Sequence, residues 1–595
     1  MPASAAALGS LPEWNLADLY ESPDDPRFAA DLLTSEEKAK VFADTYKGKL
    51  ASLSGDELGA AIRAYDEWND LIGRVASYAS LYYVGDTTDP KRAKFYGDAN
   101  AKFTDISRLT LFFELELNRI DDAALEKAMA SPALAHYRPW IENLRKDKPY
   151  QLDDKLEELF LEKSQSGYQA WNRLFDETLA DLRFEVEGQE LTLEPTLTQL
   201  QDPAEAKRKA AAEALARTFS KNLRLFGHIT NTLAKDKSIS DRWRGFKDIA
   251  DARHLSNRVE PEVVAALVEA VRGAYPRLSH RYYALKAKWL GKGKLAHWDR
   301  NAPLPQEDVR EVPWPEAKAI VLDAYRNFAP EMAEIAGRFF DGRWIDAPAR
   351  PGKAPGAFAH STVPSAHPYV LLNYLGKTRD VMTLAHELGH GVHQVLANGQ
   401  GALMSQTPLT LAETASVFGE MLTFQSILKG ATDPKKRRIL LASKVEDMLN
   451  TVVRQIAFYT FERKIHTARK EGELTTDQIN AIWLEVQSES LGPSIHLGPG
   501  YETFWAYIPH FIHSPFYVYA YAFGDCLVNS LYARYRESEK GFQEKYFAML
   551  RAGGTKHHTE LLKPFGLDAS DPSFWQKGLS VIEGFIDEIE AMEKA

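Results

Sequence analysis

Most of the chain carries apolar residues three and four positions apart, the spacing that places them on one face of an α-helix. Leu384, Leu388, Val392 and Val395 form one such stripe, and Asp380 precedes it as a candidate N-terminal cap. The segments with this pattern are long and mostly free of proline and glycine, which interrupt helices. They predict a mainly α protein with helices over residues 26–48, 55–85, 91–130, 152–182, 203–235, 260–289, 315–339, 380–398, 409–429, 434–470, 476–490, 516–551 and 574–594.

Strand-like alternation is confined to a few short segments. Residues 184–193 alternate around a turn that contains Gly188 and predict a β-hairpin. Residues 294–300 and 356–374 are the other candidate strands, and the second of them lies directly before the predicted helix over residues 380–398. An edge strand at this position could pair with an extended peptide through its backbone. We therefore expect a small β component within a multi-helix fold.

A motif with metal-binding chemistry, His386-Glu387-Leu388-Gly389-His390, lies within that predicted helix. Histidines four residues apart share one helical face, so both imidazoles can reach a single zinc ion. The glutamate beside the first histidine can then hold the attacking water, which is the arrangement of a zinc peptidase. Because the histidines lie off the apolar stripe, the helix is expected to be buried on more than one side.

A catalytic zinc site takes three protein ligands and leaves one position open. His393, three residues after His390, would strain a tetrahedral arrangement and is expected to be a neighbouring or packing residue. The tenth position after His386 holds Leu396, which excludes the class of zinc peptidases with a third histidine there. Glu413 is the better candidate, because the 27 residues that separate it from His386 leave room for a turn and a second helix that packs back.

The surroundings of Glu413 support its assignment as the third ligand. Pro408 suits the first turn of the second helix. Glu420, seven residues after Glu413, falls on almost the same helical face. A pair of carboxylates that points into an apolar helix interface is poorly explained as a solvated surface, since glutamate is usually exposed.

These residues carry a family resemblance. The string from His386 to His393, followed by Ala412-Glu413-Thr414-Ala415-Ser416, resembles the oligoendopeptidase F branch of the thimet-oligopeptidase-like metallopeptidases. The similarity covers nearly the whole chain and implies two lobes around a deep channel that admits flexible peptides and excludes folded proteins. Other segments similar to that branch are residues 11–20, 356–358, 367–374 and 509–522.

His510, Tyr517, Tyr519 and Tyr521 form a concentration of polar aromatic residues. Composition alone favours an aromatic core or ridge, because the chain has 25 tyrosines and tyrosine is often half-buried. The resemblance instead implies that a histidine and tyrosines in this segment donate hydrogen bonds to the tetrahedral intermediate. Tyr521 and His510 are the expected donors. By helical spacing Tyr517 shares a face with Tyr521, whereas Tyr519 does not. Ser514-Pro515 replaces a glycine pair of thimet-like relatives, however, and leaves the register of Tyr517 and Tyr519 open.

The composition limits which partners and which cellular compartment can be expected for the chain. The 595-residue chain is 45% hydrophobic and 26% charged, as is usual for globular proteins, and its net charge of −11 argues against a nucleic-acid partner. The single cysteine, Cys526, is expected to be a packing residue in a reducing compartment, the cytoplasm. The first ten residues lack the features of a signal peptide, and no apolar stretch reaches membrane-spanning length, so no membrane association is expected.

The combined prediction is a zinc-dependent endopeptidase, with one zinc ion per chain, that hydrolyses internal bonds of short peptides. We expect an N-terminal helical domain over residues 1–195, similar to that of oligoendopeptidase F, and a catalytic zinc metallopeptidase domain over residues 196–595. The oligomeric state stays open, with a monomer as one option.

Two other functions remain open from the sequence. A zinc exopeptidase of related fold would need a charged group that captures a peptide terminus, and the sequence marks none clearly. A non-enzymatic peptide-binding scaffold is the other alternative. Glu387 argues against it, because a pure binder has no need of a base beside the metal.

Overall fold

A computed structural model describes residues 8–304, 311–354, 356–538 and 540–594, and helices form most of it. The α-helices are α1 (Pro26–Tyr46), α2 (Gly55–Val84), α3 (Pro90–Thr110), α4 (Phe112–Arg119), α5 (Asp122–Met129), α6 (Arg138–Arg145), α7 (Asp154–Ser166), α8 (Tyr168–Asp181), α9 (Leu193–Gln199), α10 (Glu205–Arg244), α11 (Asp251–Ser256), α12 (Pro261–Ala274), α13 (Ser279–Trp289), α14 (Trp314–Phe328), α15 (Pro330–Asp341), α16 (Thr378–Ala397), α17 (Leu409–Gly430), α18 (Pro434–Thr451), α19 (Val453–Glu471), α20 (Thr476–Leu491), α21 (His510–His513), α22 (Tyr519–Glu537), α23 (Phe542–Arg551), α24 (His558–Leu562) and α25 (Pro572–Lys594).

The strands are short and belong to small separate sheets. They are β1 (Phe184–Val186), β2 (Gln189–Leu191), β3 (Leu295–Ala296), β4 (Ile345–Pro348), β5 (Phe358–His360), β6 (Tyr369–Tyr374) and β7 (Ile495–His496). The predicted hairpin is confirmed, because β1 and β2 pair antiparallel around Glu187 and Gly188, whose φ angles are 50° and 80°. Strand β3 pairs in parallel with β7, while β6 lies between β4 and β5 in a three-stranded sheet.

Several predicted helices are interrupted where proline limits the backbone. The predicted helix over residues 315–339 consists of α14 and α15, which meet at Ala329, extended at φ −158° ahead of Pro330. The predicted helix over residues 260–289 consists of α12 and α13, separated by a short 3-10 turn, Tyr275–Arg277, that contains Pro276. Proline lacks a backbone N–H and disfavours helical geometry in the residue before it, so the apolar spacing continues although the helix does not.

The chain divides into two compact units, each assembled from three separate stretches. The first unit contains Met1–Lys148, Val309–Gly430 and Arg534–Leu567. The second contains Pro149–Asp308, Ala431–Ala533 and Asp568–Ala595. The sequence boundary near residue 195 lies within the second unit, and the division into residues 1–195 and 196–595 stays a prediction.

In the first unit, α16 and α17 pack against each other along their length. Helix α14 supports α17, α15 supports α16, and β6 also packs on α16. The helix that carries the histidine motif is therefore buried on several sides, as its sequence predicts. A second core in this unit surrounds α2 and includes Trp68, Phe113 and Trp140.

In the second unit, the 40-residue helix α10 packs on α19 and β1, while α25 packs on α12 and α18. Cys526 lies on α22 as a buried free thiol, and burial raises its pKa well above the ordinary value. Its predicted role as a packing residue is confirmed, because a thiol in this state is a poor nucleophile. Within the described ranges, none of the helices combines the length and apolar character needed to cross a bilayer.

Candidate metal centre

The close approach of α16 and α17 depends on a glycine inside the histidine motif. A Cβ atom at Gly389 would lie 2.4 Å from the carbonyl oxygen of Ala415 and 2.6 Å from the Cα of Ser416. These are backbone atoms and cannot move aside, so only glycine fits at this crossing. The backbones of the two helices therefore meet directly beside the two histidines.

Tyr325 of α14 contacts both helices of the same pair. Its buried hydroxyl donates a hydrogen bond to the carbonyl oxygen of Ala385, one residue before His386. A Cβ at Gly419 would lie 2.3 Å from that hydroxyl oxygen, so Tyr325 also occupies the space that this glycine leaves on α17. The Tyr325 side chain thus contacts both helices and fixes the position of α16 along α17.

His386, His390 and Glu413 converge at this crossing. The Nε2 atom of His386 lies 3.2 Å from Oε2 of Glu413, and Nε2 of His390 lies 3.5 Å from the same oxygen. The three residues each offer one donor atom, and all three atoms lie within 4.8 Å of one another. The two imidazole rings are 5.0 Å apart and nearly perpendicular, so their nitrogen atoms converge without ring contact.

This donor set fits zinc. Zinc binds imidazole nitrogen and carboxylate oxygen at about 2.0–2.2 Å, which places the donors of a tetrahedral site roughly 3.3–3.6 Å apart. The separation of 3.5 Å between Nε2 of His390 and the Glu413 oxygen falls in that range, and the separation of 3.2 Å for His386 is about 0.1 Å below it. Two nitrogen donors and one oxygen donor also form the ligand set of one common type of catalytic zinc site.

Two further contacts orient the donors. Glu420 Oε2 lies 3.2 Å from Nδ1 of His386, and the Ser416 hydroxyl donates to Oε2 of Glu413 at 2.6 Å. Burial alone would lower the pKa of His386, but the carboxylates of Glu413 and Glu420 raise it well above its ordinary value. Burial would raise the pKa of Glu413, but the hydrogen bond from His386 and the two imidazoles hold it below its ordinary value.

Glu387 lies beside the donor set but is not part of it. Its side chain is 7% exposed, and burial raises its pKa to about 7, although the charge of His386 opposes that rise. The nearby backbone N–H of Ala359 in β5 also opposes the rise of this pKa. A carboxyl group with a pKa near neutrality can both accept and return a proton, which is the property of a general base.

The edge strand before the motif is less open to a peptide than its sequence suggests. β5 forms the edge of the three-stranded sheet, with Ala359 opposite Val370. The carbonyl of Ala359 accepts from Nε2 of Gln394 at 3.2 Å. A peptide strand added at this carbonyl would have to displace that bond.

Two sequence expectations near the motif are resolved by this geometry. His393 is buried and lies outside the donor set, and burial lowers its pKa to about 4. The spacing predicts that Asp380 precedes the helix, but Asp380 lies in the first helical turn. Its carboxylate accepts from the backbone N–H of Lys377 at 3.0 Å and of Leu375 at 2.8 Å, so it caps the helix start from inside.

His510, Tyr517 and Tyr521 form a second group, in the second unit. Nε2 of His510 lies 3.2 Å from the hydroxyl of Tyr521. The rings of Tyr517 and Tyr521 are 5.2 Å apart and nearly perpendicular, and the ring of His510 stacks with that of Tyr517 at 6.1 Å. The three residues thus form one aromatic cluster, with Tyr517 and Tyr521 on the same side of the segment.

Tyr519 lies outside this aromatic cluster. It is fully buried, and its hydroxyl lies 3.1 Å from Nδ1 of His254 and accepts from Asn257 at 2.9 Å. The separation follows from the backbone, because α22 begins only at Tyr519 and the preceding turn contains Phe516 at φ 60°. The N–H of Phe516 donates to the buried Glu462 at 2.8 Å, which stabilises the turn that presents Tyr517.

Comparisons with known proteins agree with this arrangement. The chain is 27% identical over 592 residues to oligopeptidase PepF of Bacillus subtilis, a match that covers 97% of this chain and 87% of the relative. It is 26% identical over 584 residues to an oligoendopeptidase F homolog of Borreliella burgdorferi, which covers 97% of this chain and 98% of that protein.

Solved structures show the same fold. A crystal structure from Chlamydophila abortus superposes with a TM-score of 0.85 at 22% identity and covers 97% of this chain and 98% of that chain. The crystal structure of oligoendopeptidase-F from Enterococcus faecium superposes with a TM-score of 0.73 at 23% identity and covers 96% of this chain and 99% of that chain.

Family models match most of the chain. Residues 198–581 match the model of peptidase family M3, and residues 116–184 match the model of oligopeptidase F. The matches confirm the resemblance to oligoendopeptidase F, and with the helical architecture they confirm the predicted mainly α fold class and the predicted peptide-hydrolysing enzyme. More than half of the residues lie within the first model. The chain therefore belongs to peptidase family M3 and is a metallopeptidase.

Proposed function

We propose that this chain is an endopeptidase that hydrolyses internal bonds of short peptides, with one zinc ion held by His386, His390 and Glu413. The observation that carries the proposal is the convergence of three donor atoms within 4.8 Å beside a buried glutamate that is not itself a donor. A structural zinc site has no need of such a glutamate and usually has four protein ligands.

Glu387 acts as the general base and acid in this proposal. When bound, zinc acts as a Lewis acid that polarises the scissile carbonyl and makes a water molecule more acidic. Glu387 takes a proton from the attacking water and later passes it to the leaving amine. Glu387 is buried beside the donor set and is not part of it, so its carboxylate is free to bind and release a proton.

The neighbouring residues hold these groups in position. Glu420 fixes the imidazole of His386, and Ser416 fixes one oxygen of Glu413. Such outer contacts set the tautomer of a ligating histidine and the direction of its lone pair. Tyr325 and Gly389 hold the two helices at the separation on which the donor distances depend.

Tyr521 and His510 stabilise the oxyanion of the tetrahedral intermediate in this proposal, and Tyr517 assists them. The family resemblance supports these roles, and so does the mutual contact of the three side chains. Each well-placed donor of this kind contributes about 3–4 kcal/mol to transition-state stabilisation in comparable hydrolases.

The names of the relatives support a short-peptide substrate, because they are oligopeptidases and oligoendopeptidases. A deep channel that excludes folded proteins belongs to the same proposal. So does a cytoplasmic location, which the single cysteine supports. An exopeptidase remains the second candidate function.

One experiment separates these functions. A peptide of about ten residues, acetylated and amidated at its ends, is incubated with the purified protein, and the products are mapped by mass spectrometry. Zinc content is measured on the same sample. An endopeptidase cleaves internal bonds of the blocked peptide with one zinc per chain. An exopeptidase leaves the blocked peptide intact but trims its unblocked form, and a scaffold cleaves neither.

A further inference from the structure

The turn that leads into α22 holds a bulky residue in a strained backbone conformation. The N–H of Tyr517 donates to the carbonyl of Ser514 at 3.1 Å, which closes a β-turn over residues 514–517. Pro515 occupies the second position of this turn, and Phe516, at φ 60°, occupies the third. Among the standard β-turn types, only type II combines proline at the second position with a positive φ at the third. Glycine is the usual residue there, so Phe516 is strained.

A less strained turn is one rotation away. Type I and type II turns differ mainly in the orientation of the peptide group between their second and third residues, and proline suits the second position of both. Reversal of the Pro515–Phe516 peptide group would return φ of Phe516 to the negative region that a bulky residue prefers. The strained orientation therefore needs contacts that select it.

Side chains hold both polar ends of this peptide group. The carbonyl oxygen of Pro515 accepts a hydrogen bond from Nε of Arg253 in α11 at 3.2 Å. The N–H of Phe516 donates to Oε1 of Glu462 in α19 at 2.8 Å, and Glu462 is only 2% exposed. Reversal of the peptide group would break both hydrogen bonds and leave buried polar groups without partners. The two side chains thus oppose the rotation that would relieve the strain.

Arg253 also contacts the residue that follows the strained position. Its guanidinium lies over the ring of Tyr517, with Cζ 5.7 Å from the ring centre. The ring of Tyr517 in turn contacts those of Tyr521 and His510, at 5.2 and 6.1 Å. Among the residues that the structure describes, Arg253 forms no ion pair that would explain its position. One side chain therefore connects the turn with the aromatic cluster.

Packing of the Phe516 ring is the alternative explanation for the strained turn. The ring is fully buried, lies 4.8 Å from the ring of His466, and has Nζ of Lys237 5.5 Å from its centre. These contacts act on the side chain, whereas Arg253 and Glu462 act on the peptide group itself. If ring packing alone selects the conformation, removal of Arg253 or Glu462 leaves the turn unchanged.

We propose that Arg253 and Glu462 are positioning residues that hold the Pro515–Phe516 peptide group in its strained orientation and thereby orient Tyr517 and Tyr521. The connection with hydrolysis rests on the proposed function, which assigns these tyrosines to the oxyanion. The hold on the turn does not depend on that function. Without it, the turn relaxes toward type I and the tyrosines leave their positions.

Hydrogen exchange at the amide of Phe516 tests the hold without any substrate. Exchange is followed in the full chain by mass spectrometry with fragmentation to single residues. Arg253→Ala is expected to speed exchange at Phe516 at least about tenfold, because the reversed peptide group loses its bond to Glu462, while the amides within α22 keep their rates. Arg173→Ala, which removes an exposed arginine paired with Glu177, is the matched control and changes neither. Unchanged exchange in Arg253→Ala overturns the inference in favour of ring packing.

A pair of Glu462 variants tests the other end of the peptide group. Glu462→Gln keeps an acceptor for the Phe516 N–H, whereas Glu462→Leu removes the acceptor at similar side-chain volume. Crystal structures of the two variants are expected to show Phe516 near φ 60° in the first and at a negative φ in the second. A φ near 60° in Glu462→Leu contradicts the inference. If that variant does not fold, the exchange measurement on Arg253→Ala decides.

Steady-state kinetics on one quenched peptide tests the connection with the reaction. Arg253→Ala is expected to lower kcat about tenfold or more with KM within about threefold, and Arg253→Lys, which keeps a donor and the charge, recovers most of the loss. In a Tyr521→Phe background, Arg253→Ala should lower kcat less than about threefold further, because the donor that it orients is already absent. A full tenfold further loss would show that Arg253 acts apart from that tyrosine.

The two measurements separate failure of the positioning role from failure of the proposed function. Unaltered protein that cleaves no peptide contradicts the proposed function, and the exchange rates still decide whether Arg253 and Glu462 hold the turn. Faster exchange in Arg253→Ala together with an undiminished kcat overturns the positioning role and leaves the proposed hydrolysis intact.

Discussion

Oε2 of Glu420 lies 3.2 Å from Nδ1 of His386, seven residues beyond the carboxylate that faces Nε2 of the same imidazole. An ionised carboxylate accepts hydrogen bonds and cannot donate them, so when Nε2 binds a metal ion the one proton that the imidazole keeps is on Nδ1, where Glu420 accepts it. The Nε2 lone pair is thereby directed toward the donor set. Glu420 thus prepares His386 to bind a metal ion.

Replacing Glu420 by alanine should weaken zinc binding by about 10–100-fold, because the imidazole loses the group that fixes its tautomer and direction. Chelator competition with a fluorescent zinc indicator measures the effect. Glu334→Ala removes an exposed glutamate of the same unit, paired with Arg338, and serves as the matched control. Equal zinc affinity in the Glu420 and Glu334 variants would show that the contact does not prepare the ligand.

Replacing Glu413 by alanine should strip most of the zinc at chelator concentrations that leave the unaltered protein loaded. His393→Ala should keep its zinc, because that side chain lies outside the donor set. The same competition assay applied to both variants decides between the two residues. Zinc loss in the His393 variant alone would mean that the third ligand has been assigned wrongly.

Replacing Tyr521 by phenylalanine should lower kcat by about a hundredfold or more and change KM little, because only a donor to the transition state is lost. Steady-state kinetics on one quenched peptide measures both constants. The free energy of unfolding should hardly change, since the ring and its packing on Tyr517 remain.

Tyr519→Phe is the internal control for that experiment. We expect this variant to lose stability and to keep its turnover. Its buried hydroxyl contacts His254 and Asn257, so its removal leaves buried polar groups unsatisfied and costs about 1–3 kcal/mol of stability. Turnover of the folded variant should stay near normal. If Tyr519→Phe loses turnover while Tyr521→Phe keeps it, the roles assigned to the two tyrosines are reversed.

Glu462 predicts a specific dependence of stability on pH. Burial raises its pKa to about 8 against the opposing charges of Arg253 and Lys237, and its Oε2 has no hydrogen-bond partner among the described residues. Between about pH 4.5 and 8 the unfolded chain releases this proton while the folded chain keeps it, so stability falls by up to about 1.4 kcal/mol for each pH unit.

Glu462→Gln keeps an acceptor for the Phe516 N–H and removes the titration. Denaturant unfolding at pH 5, 7 and 9 should therefore show the variant gaining on the unaltered protein as pH rises, with no further gain above pH 8. Parallel stability curves for the two proteins would mean that Glu462 is ionised in the folded state throughout.

The convergence of His386, His390 and Glu413 could be predicted from the sequence because helical geometry is local. His386 and His390 share a face by their spacing, and Glu413 required only that a second helix pack back. The helix interruptions at Pro276 and before Pro330 could have been read from the same local rules. The apolar pattern alone runs through both breaks, which explains the merged helices in the prediction.

The contacts that hold the donors in place could not be predicted from the sequence. Tyr325 reaches Ala385 from a helix some sixty residues away, and nothing in its surroundings distinguishes it from the other 24 tyrosines of a chain that has 25. The same holds for the hydrogen bond between Gln394 and Ala359. These relationships depend on tertiary packing, which a single sequence does not encode in its periodicity.

The most direct test of the central claim is a paired measurement on Glu387→Gln. Zinc content is determined by mass spectrometry of the purified variant, and hydrolysis of the end-blocked peptide is followed under the conditions used for the unaltered protein. In the proposed function Glu387 is the base and not a ligand, so the variant should retain one zinc per chain and lose turnover by about a thousandfold or more, with its fold intact. Turnover within about tenfold of the unaltered protein, with zinc still bound, would contradict the account.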